Sequence, residues 1–351
     1  MFKNIFKGIN CTITILVLLY SLCISHASYA SNVDTNNAII LAYNYIDSPI
    51  NAKKSISLEQ FKNHIKEIKH SRYNVLPLTE LLTRLKDNKL TLKEKSISIV
   101  FNNYNKVTLQ KVLPILNKED IPFTIFYSHT DIKDKAFLKE IRDNDNAELA
   151  IITDYDTPLI GLSNIEITKS INKSINYHKD LTDNRPNLFK YPKGEYSNRL
   201  LELISSYKFL GALSENLGAI SSKSNFNLLS TINITKEFGD LDLFITSLNT
   251  KPLNYKDILP QDNIISTNQP TIGFTLENSQ IESDKDISCF ASDIGKLNTT
   301  IIDKTRVEIR LNNPLIYRTT SINCTILVLE KKLKDKSWKS FSMKLIKKGE
   351  K

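Results

Sequence analysis

The sequence is poor in the residues that most often bind transition metals. Its 351 residues include only four cysteines and five histidines. No Cys-x-x-Cys pair and no cluster of cysteine with histidine is present, which excludes a zinc knuckle. Beyond the first 30 residues, no two histidines have metal-ligand spacing; they are His64, His70, His129 and His178. The sequence therefore contains no ready-made metal motif.

An arginine-rich patch with interleaved aromatic residues is also missing, so nucleic acid is excluded as a predicted partner. The formal net charge is nevertheless +9. A basic protein is attracted to anionic polymers and membrane surfaces. However, lysines are interspersed with acidic residues, as in KNHIKEIKHSR, and this pattern is typical of a solvated surface. We favour the second interpretation of the charge.

The first 30 residues have the pattern of a secretory signal peptide. Lys3 and Lys7 precede an apolar run over 11–24, and Ser28 and Ala30 are small residues at the positions that a cleavage site requires. The alternative is an uncleaved anchor, but the run is shorter than the ~20 residues that span a bilayer. We predict that this segment, residues 1–30, is removed and that the mature chain has no membrane span and is periplasmic or secreted.

Cleavage would leave two cysteines, Cys289 and Cys324, because Cys11 and Cys23 lie in the removed segment. Proteins exported to an oxidising compartment form disulfides, so two remaining cysteines predict one disulfide. Cleavage also removes two lysines and no acid, which lowers the formal charge from +9 to +7. The mature chain stays basic.

Apolar strands alternate with amphipathic helices up to about residue 215. A capping box of Ser57 and Gln60 predicts one helix start, and we expect Pro114 to kink or shorten a helix over 107–116. The alternation predicts a parallel sheet, either a barrel or a doubly wound fold, with chemistry at the carboxyl ends of the strands. Strands are predicted at 39–43, 97–101, 123–127, 148–152, 188–191 and 209–213.

After residue 260 the pattern changes to short runs with period-two alternation, such as 305–311 and 321–329. The composition, 41% hydrophobic and 24% charged, suits one large or two medium domains with a real core. We therefore predict a second, β-rich domain that contains the disulfide. The break between the two domains is predicted near 260–263.

Several segments in a consistent order resemble the polysaccharide deacetylase family with its NodB homology domain. They are ILAYNYI, SLEQFKNHIKEIKHSRYNVLPLTELL, SISIVFNNYNKVTLQKVLPILNKEDIPFTIFY, AELAIITDYDTP and RPNLFKYPKGEYS. The tail, with PTIGFTL, SCFASDIGK, RVEIRL and SINCTILV, resembles the β-domain that follows this domain in a proteobacterial branch of the family. The resemblance implies a distorted (β/α)7 barrel over residues 31–260 and a small β-rich domain over 261–351.

Members of this family hydrolyse N- or O-acetyl groups on sugar polymers. One aspartate and two histidines hold a divalent metal, usually zinc, and a neighbouring aspartate is the base. By resemblance, the base position falls on Asn102 and the metal positions fall on Asn103, Ile152 and Asp156. An amide cannot accept a proton near neutral pH, and an isoleucine has no lone pair for a cation. We therefore predict a pseudoenzyme of carbohydrate metabolism or envelope glycan context, without a cofactor, whose partner is a carbohydrate polymer or an envelope component.

The alternative is an active metal-dependent carbohydrate deacetylase with an unusual ligand set. Asp156 would then bind zinc or another divalent metal together with Asp154 or His129. In the contrary interpretation, the two aspartates cap a loop and His129 lies in a surface turn. A third hypothesis is that the fold persists without a function.

One family motif survives better than the others, the Tyr-Pro-x-Gly turn in FKYPKGEYS. The resemblance places it in one wall of the substrate groove, where a rigid turn would present aromatic faces to sugar rings. Packing of the same tyrosines along the barrel rim is the alternative. The predicted groove residues are Tyr43, Tyr104, Tyr191, Pro192, Gly194 and Tyr196.

Overall fold

Seven parallel strands close into a barrel. The structure is a computed structural model that describes residues 36–49, 51–90, 95–154, 156–277, 286–329 and 336–349. The predicted signal peptide lies outside these residues. The first barrel strand pairs with the second over 38–43 and with the last over 41–43, so the ring has no free edge. The barrel prediction is confirmed, and the doubly wound alternative is wrong because the sheet closes on itself.

The barrel strands follow one another around the ring in chain order. They are β1 (Asn37–Tyr43), β2 (Ser96–Phe101), β3 (Phe123–Tyr127), β4 (Ala147–Ile152), β5 (Leu188–Lys190), β6 (Gly211–Leu217) and β7 (Leu229–Ile234). Four two-residue strands flank them, at Tyr45–Ile46, Ser55–Ile56, Asn74–Val75 and Ile220–Ser221. Six of the barrel strands were predicted, and the closing strand β7 was not.

Amphipathic helices cover the barrel. They are α1 (Leu58–His70), α2 (Leu78–Lys86), α3 (Lys106–Lys118), α4 (Lys135–Arg142), α5 (Asn164–Thr182), α6 (Asn198–Ser206) and α7 (Leu241–Leu248). The predicted capping box is confirmed: the Ser57 hydroxyl accepts from the Gln60 N–H, and the Gln60 side chain accepts from the Ser57 N–H. Helix α3 continues through Pro114, so the predicted shortening is wrong. Pro114 lies on the exposed face, where water can solvate the carbonyl that it leaves unbonded.

Alternate strand residues point into the barrel, as the period of two requires. Ala42, Val100, Ile152 and Leu188 share one buried cluster with leucines of α2, which packs at the amino ends of the strands. Gly211 permits this packing, because a side chain there would clash with Leu82 of α2. Two positions further along each strand, the side chain again points into the barrel. These positions lie at the carboxyl ends of the strands, opposite α2, and we call this end of the barrel the barrel mouth.

Two antiparallel-rich sheets follow the barrel. Their strands are β8 (Thr250–Lys251), β9 (Tyr255–Leu259), β10 (Ile264–Ile265), β11 (Ile272–Leu276), β12 (Ile287–Ala291), β13 (Gly295–Lys296), β14 (Asn298–Ile302), β15 (Arg306–Arg310), β16 (Thr319–Leu329) and β17 (Lys336–Lys347). One sheet has the order β8-β17-β16-β12-β13, with β10 paired to β17; the other has the order β9-β11-β15-β14. Phe274 of one sheet stacks on Phe341 of the other, with ring centroids 4.0 Å apart.

The predicted β-rich C-terminal part is confirmed, and so is its disulfide. Cys289 and Cys324 are directly opposite each other on β12 and β16, and both are buried. Strands β8 and β9 precede residue 260, so pairing with the C-terminal sheets begins before the predicted break; the domain boundary itself stays a prediction. From Asn36 onward the chain packs as one compact unit. In the part of the chain that the structure describes, no helix is long and apolar enough to cross a membrane.

Candidate functional site at the barrel mouth

Asn102 lies directly after β2 and is completely buried at the barrel mouth. Its side-chain amide donates to Asn44 Oδ1 at 3.2 Å and to Asn233 Oδ1 at 2.9 Å, and its backbone N–H donates to the Tyr43 carbonyl. Its own Oδ1 is buried without a hydrogen-bond partner among the described residues. Asn102, which the resemblance assigned to the base position, therefore acts as a double donor that links the ends of three strands. It has no group that can take a proton from water near neutral pH.

Asn103 is half-buried beside it. Its side-chain nitrogen is 3.4 Å from the Tyr45 hydroxyl oxygen, to which it donates a long hydrogen bond. Its Oδ1 is a second buried oxygen without a partner in the described part of the chain. The position offers a cation one neutral oxygen in place of a carboxylate.

The other two residues that the resemblance assigned to metal binding, Ile152 and Asp156, lie at and just after the end of β4. Ile152 is buried in the barrel interior, and Asp156 is exposed in the turn that follows. Asp154 organises this turn, because its carboxylate accepts from the Asp156 N–H at 3.1 Å and from the Thr157 hydroxyl at 2.8 Å. This geometry is that of an Asx turn and favours the loop-capping interpretation of Asp154.

His129 follows β3 on the same rim. Its Nδ1 is 3.0 Å from the Ser174 hydroxyl oxygen. Burial lowers the pKa of His129, and the nearby Asp154 carboxylate partly opposes this shift. Burial also raises the pKa of Asp131 to about 6. The rim thus contains polar side chains that are held by a local turn, as Asp131 is by the Ser128 N–H, or by a covering helix, as His129 is by Ser174 of α5.

A divalent metal does not fit this set of residues. The family positions supply an amide oxygen, an alkyl group and an exposed carboxylate, and a hard or borderline cation binds such a set weakly. Within the residues that the structure describes, no group of three histidine, cysteine, aspartate or glutamate side chains lies close enough together to hold a metal ion.

An ion pair that was not predicted fills the other side of the mouth. Lys190 ends β5 beside Ile152, is completely buried, and has its Nζ 3.2 Å from Glu215 Oε1 on β6. Lys344 of β17 reaches the other carboxylate oxygen at 3.1 Å. Burial alone would raise the pKa of Glu215, but the two lysines hold it well below its usual range. Burial lowers the pKa of Lys190, and Glu215 opposes this shift.

The surviving Tyr-Pro-x-Gly motif packs on this ion pair. Gly194 has φ +64°, and a side chain at that position would come within 2.7 Å of the Glu215 backbone nitrogen. Only glycine meets both conditions without strain. Glu195, the next residue, forms a bidentate ion pair with Arg318, in which both N–O distances are 2.7 Å. Arg318 lies just before β16, so this turn contacts the C-terminal sheets.

The predicted groove residues are largely buried. Tyr43 contacts His64, Tyr191 donates to the Asn227 carbonyl at 2.8 Å, and the Tyr196 hydroxyl accepts from Asn216 at 2.9 Å. Pro192 and Gly194 are buried as well, and Tyr104 is half-buried with its ring packed edge-on against Phe137. These contacts favour the packing role that the sequence also allowed. The assignment of these residues to a sugar-binding groove stays a prediction.

Comparison with solved structures shows that other proteins share the fold of this barrel. Streptococcus pyogenes deacetylase PplD, in complex with acetate, is 19% identical over 60% of this chain and 98% of its own, with a TM-score of 0.55. A polysaccharide deacetylase from Bacillus cereus is 17% identical over 60% of this chain and 69% of its own, with a TM-score of 0.52. IcaB from Ammonifex degensii is 14% identical over 59% and 96%, also with a TM-score of 0.52. At these identities the likeness shows the fold.

A family model also matches part of the sequence. Residues 89–211 match the family model for polysaccharide deacetylase, and they include the strands that carry Asn102, Ile152 and Lys190. The chain thus has a polysaccharide deacetylase domain of the NodB type, as its motifs predicted. No curated protein matches the sequence.

Proposed function

We propose that this chain is an exported, polysaccharide deacetylase-like pseudoenzyme that acts in a carbohydrate or envelope glycan context without hydrolysing acetyl groups. The observation that carries the proposal is the bonding of Asn102. At the position of the family base, a buried amide donates to Asn44 and Asn233 and holds three strand ends together. This role requires N–H groups, whereas catalysis at that position requires a proton acceptor.

The metal positions support the same conclusion. A complete structural zinc site contributes roughly 10–16 kcal/mol of binding free energy, which requires charged or imidazole ligands in the correct geometry. Asn103 and Ile152 supply no charge, and Asp156 is exposed in its turn. Export is part of the proposal because residues 1–30 have the pattern of a signal peptide and the two cysteines of the C-terminal sheets form a disulfide.

Calorimetric titration of residues 31–351 with zinc, beside an Asp156→Ala variant, tests the proposal. We expect no tight one-to-one binding by either protein, and no release of acetate from a chito-oligosaccharide. Tight binding by the unmodified protein that is lost in Asp156→Ala would instead favour the active deacetylase with an unusual ligand set. Acetate release by the unmodified protein would refute the pseudoenzyme directly.

A restored variant provides the positive control. Asn102→Asp, Asn103→Asp, Ile152→His and Asp156→His together return the family residues to their positions. If the rest of the mouth is intact, this variant should bind zinc and release acetate.

A further inference from the structure

A second cavity lies away from the barrel mouth, where the start of β7 meets the C-terminal sheets. Its volume is about 370 Å³. This is within the range of small-molecule sites and gives room for one or two sugar rings. Polar side chains from both parts of the chain converge on it: Lys223, Ser230, Asn254, Tyr255, Glu277 and Ser340.

The polar groups of these six side chains have no partner among the described residues. Among the described residues, none of them makes a side-chain hydrogen bond or an ion pair, and none is a buried atom shielded from the cavity. Ser340 shows this most clearly, because the residue is only 9% exposed and yet its hydroxyl has no protein partner. Of the other five residues, Ser230, Asn254 and Tyr255 are half-buried, whereas Lys223 and Glu277 are exposed to solvent. Because buried polar groups normally find partners, the unpaired groups of the buried and half-buried residues favour a polar ligand in the cavity.

The chemistry of the lining favours an uncharged, hydroxyl-rich ligand. Lys223 and Glu277 contribute one charge of each sign, which suits neither a phosphate nor a metal ion. Asn254 and the two serines both donate and accept, as sugar hydroxyls do. Tyr255 adds an aromatic ring that is packed edge-on against Phe341 at 4.9 Å, and an aromatic ring suits the apolar C–H side of a sugar.

We propose that this junction cavity binds an uncharged oligosaccharide. The site is separate from the barrel mouth, and the proposal does not depend on whether the mouth is catalytic. It gives the C-terminal sheets a part in glycan binding, because Asn254, Tyr255, Glu277 and Ser340 all belong to them or to their connections.

Calorimetry with three defined probes tests this inference. Tri-N-acetylchitotriose and cellotriose are uncharged, and the chitosan trimer carries protonated amines at neutral pH. We expect saturable binding of an uncharged trimer, and at least about tenfold weaker binding to Asn254→Ala and to Glu277→Ala, since each variant removes a hydrogen-bonding group. Asn172→Ala, an exposed asparagine on α5, is the matched control and should bind as the unmodified protein does.

Three outcomes would overturn the proposal. The first is failure of both uncharged trimers to bind, and the second is preference for the cationic trimer. The third is binding that is lost in Asn103→Ala and kept in both cavity variants, which would place the sugar at the barrel mouth. Asn254 is half-buried and makes no protein hydrogen bond through its side chain, so its truncation should leave the fold intact and the result interpretable.

Discussion

At the scale of single residues, the side-chain nitrogen of Asn102, in place of an aspartate oxygen, turns a proton acceptor at the barrel mouth into a hydrogen-bond donor. An aspartate at 102 would present two acceptors to Asn44 Oδ1 and Asn233 Oδ1, which are acceptors themselves. Both neighbouring amides would have to rotate. Asn233 would then lose its own donation to the Thr231 hydroxyl at 3.2 Å. The hydrogen bonds of Asn102 therefore match an amide at this position and not a carboxylate.

Among the residues of the mouth, we expect substitution of Glu215 to lower the stability of the fold most. Glu215→Gln would leave Lys190 and Lys344 without their shared counter-charge, and Lys190 is completely buried. We expect the free energy of unfolding to fall by about 3 kcal/mol, measured by urea denaturation. Glu237→Gln, at an exposed glutamate, is the control and should change it by less than about 0.5 kcal/mol. Equal effects of the two substitutions would show that the ion pair does not stabilise the fold.

Some of these residues could be predicted from the sequence and some could not. Asn102 and Asn103 follow an apolar strand, so their place at the carboxyl end was predictable from periodicity alone. Lys190 lies in an apolar strand too, but its partner is 25 positions away and the second lysine is 129 positions from Glu215. Such a pairing depends on the order of strands around the ring and on where β17 docks. Neither is encoded in a local pattern.

At the scale of elements, short sequence patterns predict the features that depend on neighbouring residues alone, such as helix starts. Helix α1 begins at its predicted capping box, and Ser197 caps α6 by accepting from the Leu200 N–H. The closing strand β7 was missed because its sequence, LSTINI, has polar residues at half of its positions. Asn233 bonds Asn102 at the mouth, Thr231 bonds Ser214 of β6, and Ser230 lines the cavity against the C-terminal sheets. Tertiary surroundings therefore outweigh the weak apolar signal.

Helix α1 also carries a test of pH dependence. His64 is completely buried, 3.2 Å from the Tyr43 hydroxyl oxygen and 2.9 Å from the Gly239 carbonyl oxygen, and stacked on Phe244. Burial lowers its pKa to about 4. Between pH 6.5 and 4 the unfolded chain therefore binds a proton that the folded chain does not. Stability should fall as the pH falls through this window, by about 3 kcal/mol from His64 alone.

His64→Gln keeps a hydrogen-bonding side chain and removes this titration. We expect the free energy of unfolding, measured by denaturant titration at a series of pH values, to depend less steeply on pH between 6.5 and 4 in the variant. His178 is also buried and has a pKa lowered to about 4, so part of the dependence should persist. His70→Gln, at the exposed end of the same helix, is the control. A slope unchanged by His64→Gln would contradict the assignment.

At the scale of the whole molecule, the Tyr-Pro-x-Gly turn joins the barrel to the C-terminal sheets. Glu195 is buried and forms a bidentate ion pair with Arg318. Nearby, the Asn198 N–H donates to Asp262 at 3.1 Å, and Lys344 reaches Glu215. The motif was predicted from its resemblance to a groove wall, whereas this docking role depends on strands more than 100 positions away and had no local signal.

These contacts should make the barrel and the C-terminal sheets unfold together. Trp338, the only tryptophan of the chain, lies in β17 opposite Thr250 and reports on the sheets by fluorescence. Every helix that the structure describes belongs to the barrel part, so circular dichroism at the helix band reports on the barrel. In the oxidised protein we expect the two denaturation curves to coincide.

Arg318→Met should separate those curves, with the fluorescence transition at the lower denaturant concentration. The substitution leaves the Glu195 carboxylate buried and unpaired at the junction, which opposes docking by about 3 kcal/mol. Arg310→Met is the matched control, because Arg310 is exposed in the same sheets and has no ion-pair partner among the described residues. Curves that already differ in the unmodified protein would show that the two parts are independent. Curves that still coincide in Arg318→Met would show that other contacts couple them.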